Sequence, residues 1–130
     1  MNSNFVFVIR LCVAAVWLYQ GLWLKIIVTD PHHLAVVQSI GFSSPILALH
    51  IIGAGETLLG FGVISGIFHR FVAGFQILLL TAMNSIGIIM GRNSIENPAG
   101  LIINNLPFLL CVIIIGIYGP GAFALSRRRP

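Results

Sequence analysis

The stretch HIIGAGETLLGFGVISG, His50–Gly66, sets one carboxylate, Glu56, in a run that otherwise reads as lipid-soluble. Extended back to Pro45 and on to Phe68, the run is long enough to cross ~30 Å of hydrocarbon as a helix. Three further apolar segments of spanning length accompany it: Phe5–Val28, Phe71–Met90 and Ala99–Tyr118. With 58% hydrophobic residues, 8% charged residues and a mean hydropathy of +1.02, the chain has the composition of a membrane protein. Four spans consume nearly all of its 130 residues and leave no room for a second, soluble domain. Backbone polar groups in lipid must be paired internally, so the spans are predicted to be helices. The predicted fold class is therefore all-α: a four-transmembrane-helix bundle, forming a single membrane domain over 1–130.

Seven Lys and Arg residues stand against three Asp and Glu, and their placement predicts orientation. Arg10, Arg70 in the tight turn FHRF and the terminal cluster Arg127–Arg129 fall on one side, with Lys25 and Arg92 on the other. The positive-inside rule then puts both termini in the cytoplasm. Three arginines just past a membrane helix read as a topology anchor touching anionic lipid, which removes nucleic acid from the expected partners. The first span is too long for a secretion signal, lacks a basic leader and shows no small-x-small cleavage site, so it reads as retained. The expected location is a bacterial inner (plasma) membrane, and the expected partners are the lipid bilayer and other membrane subunits.

The two outer connections carry structure of their own. In TDPHHLAVVQSIGF, Asp30 is placed to cap a helix whose first residue is Pro31 and whose exit is Gly41. Leu34, Val37 and Ile40 recur at helical spacing, so a short interfacial helix over about 31–40 is expected as a lid over the bundle. In GRNSIENPAG, Asn97 followed by Pro98 repeats the cap-and-proline signal and starts the last span, with Arg92 and Glu96 able to pair weakly.

Counting ~1.5 Å of rise per residue from the outer helix ends sorts the polar residues by depth. His50, Asn84, Asn104 and Asn105 come out roughly 8–9 Å below the outer interface, Gln20 roughly 12 Å and Glu56 roughly 17 Å. Nearly all lie in the outer half. The inner half, read from FVFVIRLCVAAV and LLCVIIIGIYG, is plain hydrocarbon apart from Arg10, which can snorkel to the surface.

At 100° per residue, Glu56, Gly53, Gly60, Thr57 and His50 share one side of the second span, and Gln20 shares a face with Trp17 and Leu24. Asn84 shares a face with Thr81 and Ile77, and Asn104 lies near Leu101, Phe108 and Cys111. Turned inward, these faces enclose an outer-half, amide-rich pocket with one carboxylate at its floor and aromatic walls. The alternative for the amides is interhelical hydrogen bonding that only holds the bundle together.

Lys25, the nearest outer cation, counts out roughly 12 Å shallower than Glu56, so the acid is expected to be neutral or to share a proton with Gln20 or Asn84. The candidate ligand or proton site is thus Glu56, Gln20, His50, Asn84, Asn104, Asn105, Lys25 and Trp17. A second stripe, Gly55, Gly62 and Gly66, is expected to let another helix pack closely, and Gly87 with Gly91 repeats the spacing. Pro107 removes one helix hydrogen bond beside the asparagines and is expected to kink the last helix. Trp23 reads as an interfacial anchor.

Several chemistries are disfavoured. His32 and His33 are adjacent, so their side chains diverge, and no carboxylate or cysteine completes a metal set at ligand spacing. Cys12 and Cys111 are isolated and intramembrane rather than a Cys-x-x-Cys pair, and read as packing residues. No Ser-His-Asp set, phosphate-binding glycine loop or haem pair of histidines is present.

Taken together, GLWLKI closely followed by DPHHL, then GAGETLLGFGVISG, MN and NPAGLIINNLP resemble the DoxX-like family of small membrane proteins, from about Gln20 to Pro107. The family-like positions are Gly21, Trp23, Lys25, Gly53, Glu56, Gly60, Met83, Asn84, Asn97, Pro98, Asn105, Leu106 and Pro107. The resemblance implies a four-helix bundle and, by way of better-known relatives, association with quinone-linked sulfur oxidation or with membrane oxidoreductase assemblies handling oxidative stress. It supplies no catalytic residue. The leading functional expectation is a membrane subunit of a redox-linked assembly whose pocket binds a quinone or other small apolar molecule with a polar head. The alternatives are a structural or assembly subunit with no chemistry of its own, and a proton-coupled carrier. The carrier is disfavoured because the polar residues stop at mid-depth.

Overall fold

The computed structural model describes residues 2–90 and 97–125. Within them the chain is all-α: α1 (Ser3–Leu18) runs directly into a π-helical segment (Tyr19–Ile27), followed by α2 (Pro31–Ile40), α3 (Pro45–Ser65), α4 (His69–Met90) and α5 (Pro98–Tyr118). Four helices are long and apolar enough to cross a membrane: α1 with its π-helical continuation, α3, α4 and α5. Most of their large apolar side chains stand exposed, Leu58, Phe71, Leu78 and Ile89 among them, as expected of surfaces solvated by lipid rather than water.

The short helix begins and ends where its chemistry dictates. Asp30 Oδ2 accepts the His33 backbone N–H (3.2 Å), Pro31 occupies the first turn, and Gly41 ends α2 in the left-handed region at φ 100°. Asn97 Oδ1 likewise accepts the Gly100 N–H (3.0 Å) at the start of α5, which continues through Pro107. The Arg92–Glu96 pair, Gly91 and the cluster Arg127–Arg129 lie outside the described residues.

The π-helical segment departs from the uniform α-phase assumed from the sequence. Its backbone bonds reach further back than four residues, Val28 N–H to Trp23 O (2.8 Å) and Asp30 N–H to Leu24 O (2.7 Å) at its exit. Widened turns of this kind are rare and concentrate at functional sites. Here the segment lies against α3 through a reciprocal glycine contact. A Cβ built on Gly21 would fall 2.7 Å from Gly53 O, and one built on Gly53 would fall 2.7 Å from Gly21 O. Only the absence of both Cβ atoms permits this approach.

The first span is the hub of the bundle. Its lower part packs on α3 and α5, its π-helical part lies on α3, and α5 packs in turn on α4. Although α3 and α4 are consecutive and joined by a tight turn, they touch only sparingly, and α2 bridges them at the far end. The dry core, Val6, Val13, Ala14, Trp17, Leu59, Val63, Ala73, Val112 and Ile115, fills the half of the bundle nearest the chain ends. Cys111 packs against it, whereas Cys12 is exposed and is not the packing residue expected.

At that end Arg10 is buried, not snorkelling outward. It donates from Nη1 to Pro120 O (2.9 Å) and from Nη2 to Ala122 O (3.0 Å). The segment it holds is also pinned by Ala122 N–H to Ser3 O (3.1 Å) and Leu125 N–H to Ser65 O (2.7 Å). Snorkelling fails because carbonyls of the chain's own last residues arrive within reach first. The half-bundle around Arg10 is not plain hydrocarbon either. Gln76 is buried there and accepts from Trp17 Nε1 (2.8 Å), while Trp17 meets the Phe108 ring edge-on at 5.5 Å.

Candidate functional site

Depth counting failed at Lys25, and the failure defines the site. Lys25 Nζ lies 3.0 Å from Glu56 Oε2, and the two side chains are 8% and 2% exposed. The helix ends do not share a plane: Thr29 Oγ1 sits 3.2 Å from His50 Nε2, so the first turns of α3 rise above the end of the π-helical segment. Glu56 is therefore less deep relative to Lys25 than the count from Pro45 implies. The Gly21–Gly53 contact then brings the two backbones close enough for the lysine stem to reach down, its Cβ alongside Gly53. Lys25 Nζ also lies 3.5 Å from Gln20 O. The side chain that meets Glu56 is thus Lys25, rather than Gln20 or Asn84.

Beside the pair lies a cavity of about 520 Å³ to which every helix contributes. Trp17, Gln20 and Lys25 come from the first span, Leu49, Ile52 and Glu56 from α3, Met83, Asn84 and Gly87 from α4, and Leu101, Asn105 and Phe108 from α5. The α2 residues His32, His33, Val36, Val37 and Ile40 form its roof. Asn105 Nδ2 donates to Asn84 Oδ1 (3.3 Å), which ties α5 to α4 across one wall. The volume suits a small ligand, and the mix of apolar walls with a few convergent polar groups is what such sites require.

Six of the eight residues singled out from the sequence line this cavity: Trp17, Gln20, Lys25, Glu56, Asn84 and Asn105. The other two do not. His50 is turned toward Thr29, on the strip of α3 that faces the first span, one step round the helix from Leu49, Ile52 and Glu56. Asn104 is exposed, because neighbouring helical residues point 100° apart and α5 turns Asn105 inward. Sequence reasoning missed Gln76 and the roof histidines as lining or supporting groups. Gln76 was detectable as a lone amide in the apolar run FVAGFQILLL.

The roof has its own electrostatics. His33 Nδ1 is buried 3.5 Å from Asp30 Oδ2, without hydrogen-bond geometry to it or to any other described group. Burial holds the His33 imidazole below the usual histidine range, the positive charge of Lys25 pushes it further down, and Asp30 partly offsets both. The part of the roof that His33 forms is thus held toward its neutral state above the ion pair. His32 and His33 stand 6.4 Å apart with tilted rings, and among the described residues no three His, Cys, Asp or Glu side chains gather as a metal set would need.

Within the described residues the second glycine stripe meets no other helix. A Cβ built on Gly55 or Gly62 would find nothing within 4 Å. Gly66 is different again: it ends α3 in the left-handed region at φ 71°, where a Cβ would fall 2.5 Å from Arg10 Nη1.

A family model described as the DoxX-like family matches residues 14–113. No curated protein and no solved structure gives a significant match.

Proposed function

The chain belongs to the DoxX-like family, and on that footing we propose that it is an integral membrane subunit of a redox-linked assembly whose roofed cavity holds the polar head of a quinone-like molecule. The observation that carries the reading is the Lys25–Glu56 pair, buried yet facing a cavity of ligand size together with the amides of Gln20, Asn84 and Asn105. A buried ion pair adds little to stability on its own, so its position beside an open volume favours a role in recognition. The ammonium of Lys25 and the side-chain amide groups of Gln20, Asn84 and Asn105 offer donors to a carbonyl or hydroxyl head. Glu56 accepts from a hydroxyl and, through Lys25, can take part in proton exchange. Trp17, Leu49 and Phe108 supply apolar walls for a flat ring.

The same reading places the roof outward and both termini in the cytoplasm, as a single membrane domain of a bacterial inner membrane. It is supported by Arg10 and Arg70 lying at the end of the bundle where the first and last described residues meet. The experiment is purification into nanodiscs followed by mass spectrometry of extracted small molecules and copurifying chains. Near-stoichiometric quinone in the wild type, lost in Glu56→Gln with folding intact, is the expected result. A stable heteromeric complex that carries no small molecule, and that Glu56→Gln leaves unchanged, would overturn the reading in favour of a purely structural subunit.

A further inference from the structure

The cavity is not closed on the side of α3 and α4. Between these two helices runs a second hollow of about 500 Å³, and it shares Ile52, Glu56 and Met83 with the cavity. Its α3 wall is the strip Ile52, Gly55, Leu59 and Gly62, and its α4 wall includes Phe71, Phe75 and Leu79. Apart from the carboxylate at its junction with the cavity, it is apolar throughout. From Ile51 to Gly62 it extends about 16 Å along α3 at 1.5 Å per residue. The hollow exists because Gly55 and Gly62 leave space that nothing among the described residues fills.

Its continuity with the cavity selects the occupant. The two share Ile52, Glu56 and Met83, so one molecule can lie in both, its polar end in the cavity and its apolar end in the hollow. A single extended alkyl or isoprenoid chain fits a cleft of this length and narrowness. Bulk lipid fills such a cleft too, but in this one Glu56 of the buried ion pair stands midway along the α3 wall, at the junction with the cavity, where a molecule with a polar head gains from lodging.

We propose that the α3–α4 cleft is the lateral entrance and tail subsite of the cavity. An amphiphile enters from the bilayer, lays its apolar chain over Gly55 and Gly62, and places its head beside Glu56 and Lys25. The inference rests on the reading of the cavity as a head-group site and adds to it the class of ligand, long-tailed and membrane-borne, and its route.

The test uses two probes with the same kind of head, a benzoquinone carrying a decyl chain and tetramethylbenzoquinone. Their saturable quenching of Trp17 is read in nanodiscs in a Trp23→Phe background. A Cβ at either position meets nothing within 4 Å, so Gly55→Leu combined with Gly62→Leu is used to fill the cleft, with circular dichroism checking that the fold is retained. Gly74→Leu, on α4 with equally nothing within 4 Å and outside the cleft lining, is the control. The expected result is a tenfold or greater rise in Kd for the decyl probe in the double leucine variant. Tetramethylbenzoquinone should stay within twofold of wild type, and Gly74→Leu should leave both probes unchanged. Equal weakening of both probes, or no weakening of either, overturns the tail subsite while leaving the head-group reading standing. If neither probe quenches saturably in the wild type, the head-group reading fails and the inference falls with it. A change of oligomeric state in the leucine variant, with decyl binding unaltered, would assign the cleft to a partner helix instead.

Discussion

Replacing Lys25 with methionine keeps most of the side-chain volume and deletes the ammonium 3.0 Å from Glu56 Oε2. Glu56, 2% exposed, is left without the cation that compensates its burial. Breaking a buried pair from one side costs about 3–5 kcal/mol, a large share of the ~5–15 kcal/mol that ordinarily separates folded from unfolded protein. Glu56→Leu should cost less, because the lysine stem is long and its ammonium already lies 3.5 Å from a second acceptor, Gln20 O. The double variant Lys25→Met/Glu56→Leu removes both desolvation penalties and should fall within about 1 kcal/mol of wild type or above it. The coupling energy between the two sites is then at least about 2 kcal/mol, even if Glu56→Leu costs nothing. Unfolding of all four proteins in mixed micelles, driven by rising SDS mole fraction and followed by circular dichroism, completes the cycle. A coupling below about 1 kcal/mol, the level of exposed pairs, would mean that the cavity solvates the pair freely, and the argument for a dry, ligand-facing ion pair would collapse.

Gly21→Ala puts a Cβ 2.7 Å from both Gly53 O and Glu56 Cβ, so the π-helical segment must shift off α3; a loss of about 1–3 kcal/mol is expected, against almost none for Gly55→Ala, and equal effects in the same unfolding assay would refute the glycine contact. Trp17→Phe leaves Gln76 Oε1 buried without its 2.8 Å donor and should cost about 1–3 kcal/mol, most of it recovered by adding Gln76→Leu; an additive double variant would show that the bond is immaterial. Because the folded His33 lies below its ordinary value near 6.5, its contribution to roof docking is fully present above that pH and is lost as pH falls toward the folded value. Hydrogen exchange over 31–40 in nanodiscs, corrected for intrinsic rates, should therefore quicken on acidification from about pH 7.5 to about pH 5, and His33→Gln should abolish the dependence. A pH-independent wild type would remove the neutral-roof reading.

The spans and the roof were legible in the sequence because their signals are local and physical. Hydropathy over a 20-residue window does not depend on neighbours in space, and Asp30–Pro31, Gly41 and Asn97–Pro98 act through their own backbones. The cavity was partly legible for the same reason, since most polar residues on these apolar helices turn inward, Asn104 being an exception. What could not be read was the relative height and phase of the helices. Treating all outer ends as level separated Lys25 from Glu56, and nothing in the composition of Tyr19–Ile27 announces a π-helix. Asn104 and Asn105 could be distinguished only by the rotation of α5, which packing against α1 and α4 sets.

The two glycine faces of α3 show why spacing alone misleads. Gly53 and Gly60 are crowded: a Cβ on the first meets Gly21 O, and one on the second falls 2.9 Å from Leu18 Cγ. Gly55 and Gly62 carry comparable spacing and meet nothing. One face therefore closes a helix contact and the other holds a cleft open, and the difference arises from where the remaining helices go. The first span claims one side of α3, α5 claims α4, and the roof bridges the tops of α3 and α4. Among the described residues no apolar side chain fills the space between them. In a bilayer such a gap is occupied by whatever apolar chain diffuses past. On the proposed reading, because it opens beside Glu56, it holds longest the chain whose head Glu56 and Lys25 can bind.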